Sequence, residues 1–190
     1  MASNNGSSLR AIVGAIEAGV LAAKPVLVVS NRRTAPALAF AAEHAIETLV
    51  IPTAADPDTA DARLAAVLTE AEINLVILSG YLRKLGRETL AAYGGRILNI
   101  HPALLPSYGG TGMYGRRVHA AVIAAGEAVS GASVHLVDEE YDHGRVIARA
   151  EVPVLAGDTP ESLEARVMSV EPKLFVDTLA RLDSGELSLG

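Results

Sequence analysis

Short apolar runs alternate with longer amphipathic segments through the first half of the chain. Runs rich in Val, Ile and Leu are typical of buried strands, and segments of about ten or more residues between them are typical of helices. The strand candidates are 25–30, 46–51, 75–79 and 96–100. The helix candidates are 8–23, 36–45, 59–71 and 84–93. This alternation predicts βαβ units in a three-layer, doubly wound α/β fold with a mostly parallel sheet.

The pattern changes in the second half of the chain. A helix is predicted over 116–125, and two segments with strand-like alternation follow at 132–137 and 146–154. The short link between these two segments predicts an antiparallel pair that completes the sheet. A long helical segment, 159–183, ends the chain, and we expect Pro172 to bend or interrupt it.

The first eight residues form a polar loop that runs directly into the first helix candidate. A loop of this kind usually follows a strand that anchors a helix N-terminus aimed at a ligand. No strand candidate precedes it, so we expect that the first strand is missing and that the chain starts later than its natural product. The backbone N–H groups and the two hydroxyls suit a phosphate, but Ser7 or Ser8 could also be an ordinary helix N-cap.

Composition narrows the class of partner. The chain has 190 residues, which fits a single domain over 1–190. It contains no cysteine, which excludes disulfides and thiolate chemistry and fits a cytoplasmic protein. No long uncharged apolar run predicts a membrane segment. The net charge of −6 disfavours nucleic-acid binding. A small-molecule partner is therefore expected, with no nucleic acid and no membrane.

Two further kinds of site are unsupported by the sequence. The five histidines have no metal-ligand spacing, so no metal is expected; they are His44, His101, His119, His135 and His143. The Gly-x-Ser-x-Gly elbow of serine hydrolases is absent, and so is the Gly-x-Gly-x-x-Gly dinucleotide motif.

The segment 97–106 carries the strongest candidate chemistry. Side chains alternate along a strand, so Asn99 and His101 project to the same side. Pro102 keeps His101 extended. An amide and an imidazole are thus expected side by side at the carboxyl edge of the sheet, where ligands bind in open α/β folds. The two side chains could also simply satisfy backbone groups at a strand end.

Two loops and one helix could complete this site. A carboxylate held against His101 would keep the ring charged and oriented, and the link 138–145 offers four, among which the sequence does not choose. The segment 107–115 contains four glycines, which indicates a functional loop. His119 lies on the helix after it. That helix should run along the surface, so a solvated or capping role is as good an expectation for His119 as ligand contact.

Two motifs carry a family resemblance. Asn-Ile-His-Pro-x-Leu-Leu-Pro at 99–106, followed by Tyr-Asp-x-Gly at 141–144, resembles the folate-dependent formyltransferases. The likeness covers almost the whole chain, including 3–9, Ser30-Asn31 and 80–83. The opening Gly-Ser loop is similar to that of the members that formylate a ribonucleotide in purine synthesis.

The resemblance implies roles for individual residues. The catalytic Asn, His and Asp of the family correspond to Asn99, His101 and Asp142. The loop that holds the ribonucleotide phosphate falls on Asn5, Gly6, Ser7 and Ser8. The acid that contacts the substrate amine is matched by Glu171. The folate pocket is matched by Leu82, Arg83, Leu85, Asp138, Glu139, Glu140 and Tyr141. Further possible site residues are Gly80, Pro102, His119 and His135.

The resemblance also implies an activity. We expect formyl transfer from 10-formyltetrahydrofolate to the amine of glycinamide ribonucleotide by a cytoplasmic monomer or homodimer. Three alternatives stay open: a formyltetrahydrofolate hydrolase, another small-molecule formyltransferase, and a non-catalytic nucleotide or folate binder. A methionyl-tRNA formyltransferase would need a further C-terminal domain and a basic surface. The chain departs from the family pattern at Ser8, where Asn is usual, at Arg145, where Pro is common, and in the glycine-rich insert before His119.

Overall fold

The computed structural model describes residues 1–190, which fold into two compact units, Met1–Leu98 and Asn99–Gly190. The elements in chain order are α1 (Ser7–Glu17), β1 (Leu27–Ser30), α2 (Pro36–Glu43), β2 (Glu47–Val50), α3 (Pro57–Glu70), β3 (Val76–Leu78), α4 (Arg87–Tyr93), β4 (Ile97–His101), α5 (Arg116–Ala124), β5 (Val129–Leu136), β6 (Val146–Pro153) and α6 (Pro160–Asp183). The single-domain expectation stays a prediction.

The first unit contains the parallel part of the fold. β1 pairs with β2 in parallel, from Leu27 opposite Glu47 to Ser30 opposite Val50. α2 packs against both strands, and α3 packs against α4. β3 lies beside β4. One core cluster joins α1, β1 and α2, and consists of Val13, Val28, Phe40, Ala41 and Ile46 with Leu9 and Leu38 packed against it.

The N-terminal residues lie between β1 and β3, although no strand is assigned to them. The Ala2 N–H donates to Val29 O at 3.0 Å, and the Ser79 N–H donates to Met1 O at 2.9 Å. The Ser3 N–H bonds to Gly80 O on the same side. Burial lowers the pKa of the α-amine to about 5. No strand precedes the opening loop, but the residues before it are hydrogen-bonded on both sides, and these bonds anchor it.

The second unit contains the antiparallel part. β4 lies beside β5, which pairs with β6 in antiparallel register from Val129 opposite Pro153 to His135 opposite Val146. The register shifts between Val134 and His135. α6 packs against β5, β6 and α5. Parallel and antiparallel strands with flanking helices confirm the α/β class.

The predicted elements are all present, with bounds that differ by a few residues, and two helices differ more clearly. α1 ends at Glu17 rather than at residue 23. Gly19 adopts φ 70 there, and the bonds from the Gly19 N–H to Ile16 O and from the Val20 N–H to Ala15 O form a Schellman end. α6 runs through Pro172 without interruption. Val167 and Phe175, on either side of the proline, are fully buried, and this packing holds the helix together despite the missing hydrogen bond.

No helix in the structure combines the length and the apolar character that a membrane crossing requires.

Candidate active site

The end of β4 presents two polar side chains. His101 is the last residue of the strand and is 3% exposed, whereas Asn99 is partly exposed. The turn that follows is fixed by Ser133 of β5, whose buried hydroxyl donates to Ala103 O at 2.7 Å and accepts the Leu105 N–H at 3.0 Å. This serine was not singled out from the sequence. It holds the backbone that follows His101 in place, and this fixes the position from which the imidazole extends.

The His101 ring is held at both nitrogens. Nε2 lies 2.8 Å from Tyr108 O, and Nδ1 lies 3.3 Å from Asp142 Oδ2. Both neighbours are hydrogen-bond acceptors, so both ring nitrogens favour carrying a proton. The geometry therefore favours a charged imidazolium beside an ionised carboxylate.

Asp142 is the carboxylate that lies against His101. The sequence alone did not distinguish it from the three other acids of the 138–145 link. Burial opposes its charge, but the hydrogen bond from His101, the charge of that ring and the Gly110 N–H together hold its pKa well below the ordinary value. The Gly110 N–H donates to Oδ2 at 3.0 Å. Among the other three acids, Asp138 pairs with the exposed His143 at 2.9 Å.

The backbone of Asp142 explains why this acid turns inward. Its φ is 56, in the left-handed region, where Asp and Asn are tolerated better than most side chains. Tyr108 also has a positive φ, 59, and its hydroxyl donates to Glu127 at 2.7 Å. The sequence did not indicate that backbone groups of the glycine-rich loop would bind His101 and Asp142. The glycine density of that loop was the available signal.

A second histidine adjoins the amide. His135 of β5 is 2% exposed, and its Nε2 lies 3.1 Å from Asn99 Nδ2 and 3.5 Å from Asp142 Oδ1. Its Nδ1 lies 2.8 Å from Leu136 O. Asn99, His101, His135 and Asp142 are thus joined into one polar network.

Two other titratable side chains belong to this unit. Burial, reinforced by Glu164 and opposed by His101, raises the pKa of Glu171 on α6 to about 7. Burial lowers the pKa of His119, with an opposing contribution from Glu164. His119 is 1% exposed, and its Nδ1 has no hydrogen-bond partner. A solvated role for His119, one of the alternatives left open by the sequence, was therefore wrong, because α5 packs against α6 rather than lying free on the surface.

The proposed phosphate loop begins α1 in the first unit. Gly6 is the N-cap with φ 65, and no side chain caps the helix, so the expectation that Ser7 or Ser8 would do so was wrong. A Cβ at Gly6 would lie 3.2 Å from Ala37 Cβ, which restricts this position to glycine. Because no side-chain oxygen occupies the helix start, its N–H groups are left for an anion.

Polar side chains tie this loop to its neighbours. The Ser3 hydroxyl donates to Asn31 Oδ1 at 2.7 Å and accepts the Leu82 N–H at 2.9 Å. Arg32 Nη1 donates to Asn4 Oδ1 at 3.0 Å. The loops that follow β1 and β3 are therefore hydrogen-bonded to the start of the chain within the first unit.

The residues matched to the folate pocket differ in exposure. In the first unit, Leu82 is 51% exposed, but Leu85 is only 6% exposed and belongs to the core. Gly80 has φ 65 and lies on the surface. In the second unit, Tyr141 is 48% exposed. Leu82 and Tyr141 each present apolar surface that a planar ligand could cover. Arg83, Glu139 and Glu140 are exposed as well.

The structure brings together no group of three or more His, Asp or Glu side chains that could hold a metal ion. Pro102, the other possible site residue, is partly exposed next to His101.

The α/β fold and the Asn, His and Asp of this site define a formyltransferase. The formyl transferase family model matches residues 1–179, and the chain belongs to this family. The resemblance seen in the sequence is thereby confirmed.

Particular relatives are phosphoribosylglycinamide formyltransferases. The chain is 40% identical over 183 residues to the chloroplastic enzyme of Arabidopsis thaliana, covering 95% of this chain and 63% of that protein. It is 38% identical to the enzyme of Mycobacterium tuberculosis, covering 96% of this chain and 82% of that one. The structure of the Coxiella burnetii enzyme superposes with a TM-score of 0.88 at 36% identity, covering 97% of this chain and 85% of that chain. The chain thus spans less than two thirds of the Arabidopsis protein and, at 58%, of its Vigna unguiculata counterpart.

Proposed function

We propose that this protein transfers the formyl group of 10-formyltetrahydrofolate to the amine of glycinamide ribonucleotide, a step of de novo purine biosynthesis. The observation that carries the proposal is the buried pairing of His101 with Asp142 next to the partly exposed amide of Asn99. The names of the relatives support the choice of substrates. Both substrates are small molecules, and the chain's cytoplasmic location and its monomeric or dimeric state stay predictions.

The reaction needs stabilisation of negative charge on an oxygen. The substrate amine attacks the formyl carbon and builds an oxyanion, to which Asn99 can donate an amide N–H. His101 can donate a second, charged hydrogen bond. Because both its nitrogens are already bonded, we expect the formyl oxygen to replace Tyr108 O as the acceptor of the Nε2 proton. The tetrahedral intermediate then collapses, the bond from the formyl carbon to N10 of the folate breaks, and N10 takes up the proton that the amine loses. The formyl group thus passes directly to the amine without a covalent enzyme intermediate.

Asp142 has a supporting part in this scheme. Its lowered pKa makes it a weak base, which suits holding His101 in the charged form better than removing a proton unaided. We therefore assign it the orientation and charge of His101, and a share in carrying the proton of the amine away through water.

The remaining contacts follow from the family. The start of α1, with Asn5, Gly6, Ser7 and Ser8, would hold the ribonucleotide phosphate through N–H groups and hydroxyls. Glu171 would contact the amine. Leu82, Arg83, Leu85 and the segment 138–141 would hold the folate. A metal is not part of the proposal.

Turnover with separate substrates tests the proposal. The protein is given 10-formyltetrahydrofolate with and without glycinamide ribonucleotide, and release of tetrahydrofolate is followed; Asn99→Ala serves as the control for site-specific turnover. Release that requires the ribonucleotide supports transfer. Equal release without it would identify a hydrolase, and no release in either mixture would leave a binding protein.

A further inference from the structure

His135 occupies a buried position between the amide and the carboxylate of the site. Its Nε2 is 3.1 Å from Asn99 Nδ2 and 3.5 Å from Asp142 Oδ1, and its Nδ1 is 2.8 Å from Leu136 O. The ring is 2% exposed, so water does not compete for these contacts. Formyl transfer by Asn99, His101 and Asp142 leaves His135 without an assigned role.

These contacts restrict the protonation of the ring. Nδ1 faces a carbonyl oxygen, so it must carry the proton. Nε2 has two neighbours: the Asn99 amide nitrogen, a donor at 3.1 Å, and Asp142 Oδ1, which at 3.5 Å makes no hydrogen bond with it. The hydrogen bond at Nε2 is therefore the one from the amide, and Nε2 accepts it. The ring is then neutral, with its proton on Nδ1.

The opposite arrangement is unfavourable. If the Asn99 amide were turned over, its Oδ1 would face Nε2, which would then need a proton as well. His135 would become an imidazolium, next to His101, whose two nitrogens also face acceptors. Two buried cations would share the single charge of Asp142, and an uncompensated buried charge is costly. The contacts of His135 thus fix which way the Asn99 amide is turned. The shape of the amide alone would not distinguish its oxygen from its nitrogen.

We propose that His135 is a positioning residue that accepts one N–H of Asn99 and thereby holds the second N–H of that amide toward the reacting carbonyl. The inference rests on the proposed formyl transfer and deepens it. Without the acceptor, the Asn99 amide can turn and offer its oxygen, which repels an oxyanion. The loss should appear in kcat rather than in the KM of either substrate, because the contact matters when charge develops.

A double-mutant cycle measures this role. His135→Leu should lower kcat about tenfold, the effect of losing one hydrogen bond. In the Asn99→Ala background the same change should lower kcat less than about twofold, because the amide it would orient is gone. His135→Gln, whose Oε1 can accept near the position of Nε2, should retain kcat within about threefold of the wild type.

A matched control is available on the same strand. Ser130 of β5 is 2% exposed, and its hydroxyl has no hydrogen-bond partner. Ser130→Ala should leave kcat unchanged, which shows that a small change in the buried face of β5 does not itself reduce turnover.

A spectroscopic measurement is independent of activity. In the 15N-histidine NMR spectrum of the wild type, His135 should show a protonated Nδ1 and an unprotonated Nε2. A charged ring or a proton on Nε2 would overturn the proposal, even if the Leu variant failed to fold. Fully additive losses in the cycle, or unchanged kcat in His135→Leu, would also overturn it. If the protein lacks transfer activity altogether, the proposed function fails, and the NMR result still decides the tautomer.

Discussion

Glu171 makes the stability of this protein depend on pH in an unusual direction. Burial in α6 raises its pKa from 4.5 to about 7, with Glu164 adding to the effect and His101 opposing it. Between these two values the folded chain holds a proton that the unfolded chain has released. The slope of unfolding free energy with pH is negative when the folded state binds more protons. This carboxyl therefore destabilises the fold progressively as the pH rises through that window.

The size of the effect follows from the two pKa values. A difference of one pKa unit corresponds to 1.36 kcal/mol, so the full effect is about 3 kcal/mol. Glu171→Gln removes the titration. Relative to the wild type, the variant should gain about 3 kcal/mol between about pH 4 and about pH 8.

Urea unfolding at several pH values measures this gain. Asp177→Asn, at an exposed position of the same helix, is the control; its ion pair with Lys173 is at the surface, and its loss should change stability by less than about 1 kcal/mol. A constant difference between wild type and Glu171→Gln across the pH range would refute the reasoning. The same variant tests the proposed amine contact, since its KM for glycinamide ribonucleotide should rise more than its KM for the folate.

Three further changes test the site and its support. Asn99→Ala and Asp142→Asn should fold normally and lose about 10²–10³ in kcat, and near-normal turnover in either would refute the role of that residue. Asp61→Ala should lower the unfolding free energy by about 2 kcal/mol, because its carboxylate accepts three backbone N–H groups at the start of α4; an unchanged urea midpoint would contradict this. Gly109→Ala should reduce both stability and turnover, because its Cβ would lie 2.5 Å from a methyl of the buried Leu105 and 3.0 Å from Asp142 Cβ; wild-type values for both would show that the loop can yield.

The succession of helices and strands along the chain was predictable from the sequence, and so was the position of Asn99 and His101 at a strand end. Both depend on local periodicity. Runs of Val, Ile and Leu located the strands to within a few residues, and alternation put Asn99 and His101 at the end of β4. The end of α1 was missed because a Schellman turn competes with an apolar pattern that continues beyond it. Helix continuity at Pro172 depended on packing against other elements, which no local pattern contains.

The groups that hold the side chains of the site in place were less predictable from the sequence. Tyr108 and Gly110 contribute backbone groups, and side-chain identity says little about where a carbonyl or an N–H will point. His119 did have a signal, since Val118 and Val122 share its face of the helix and are both buried. A histidine among apolar positions at helical spacing indicates burial.

The left-handed backbone at Asp142 limits which residues can replace it, whether by design or by natural mutation. Asparagine fits the turn but carries no charge, whereas glutamate carries the charge but disfavours a positive φ and reaches one methylene too far. The backbone conformation and the required negative charge together therefore allow only aspartate at this position. A randomised library at position 142 should return aspartate alone, and active revertants of any other choice should arise by restoring that codon rather than by compensation elsewhere.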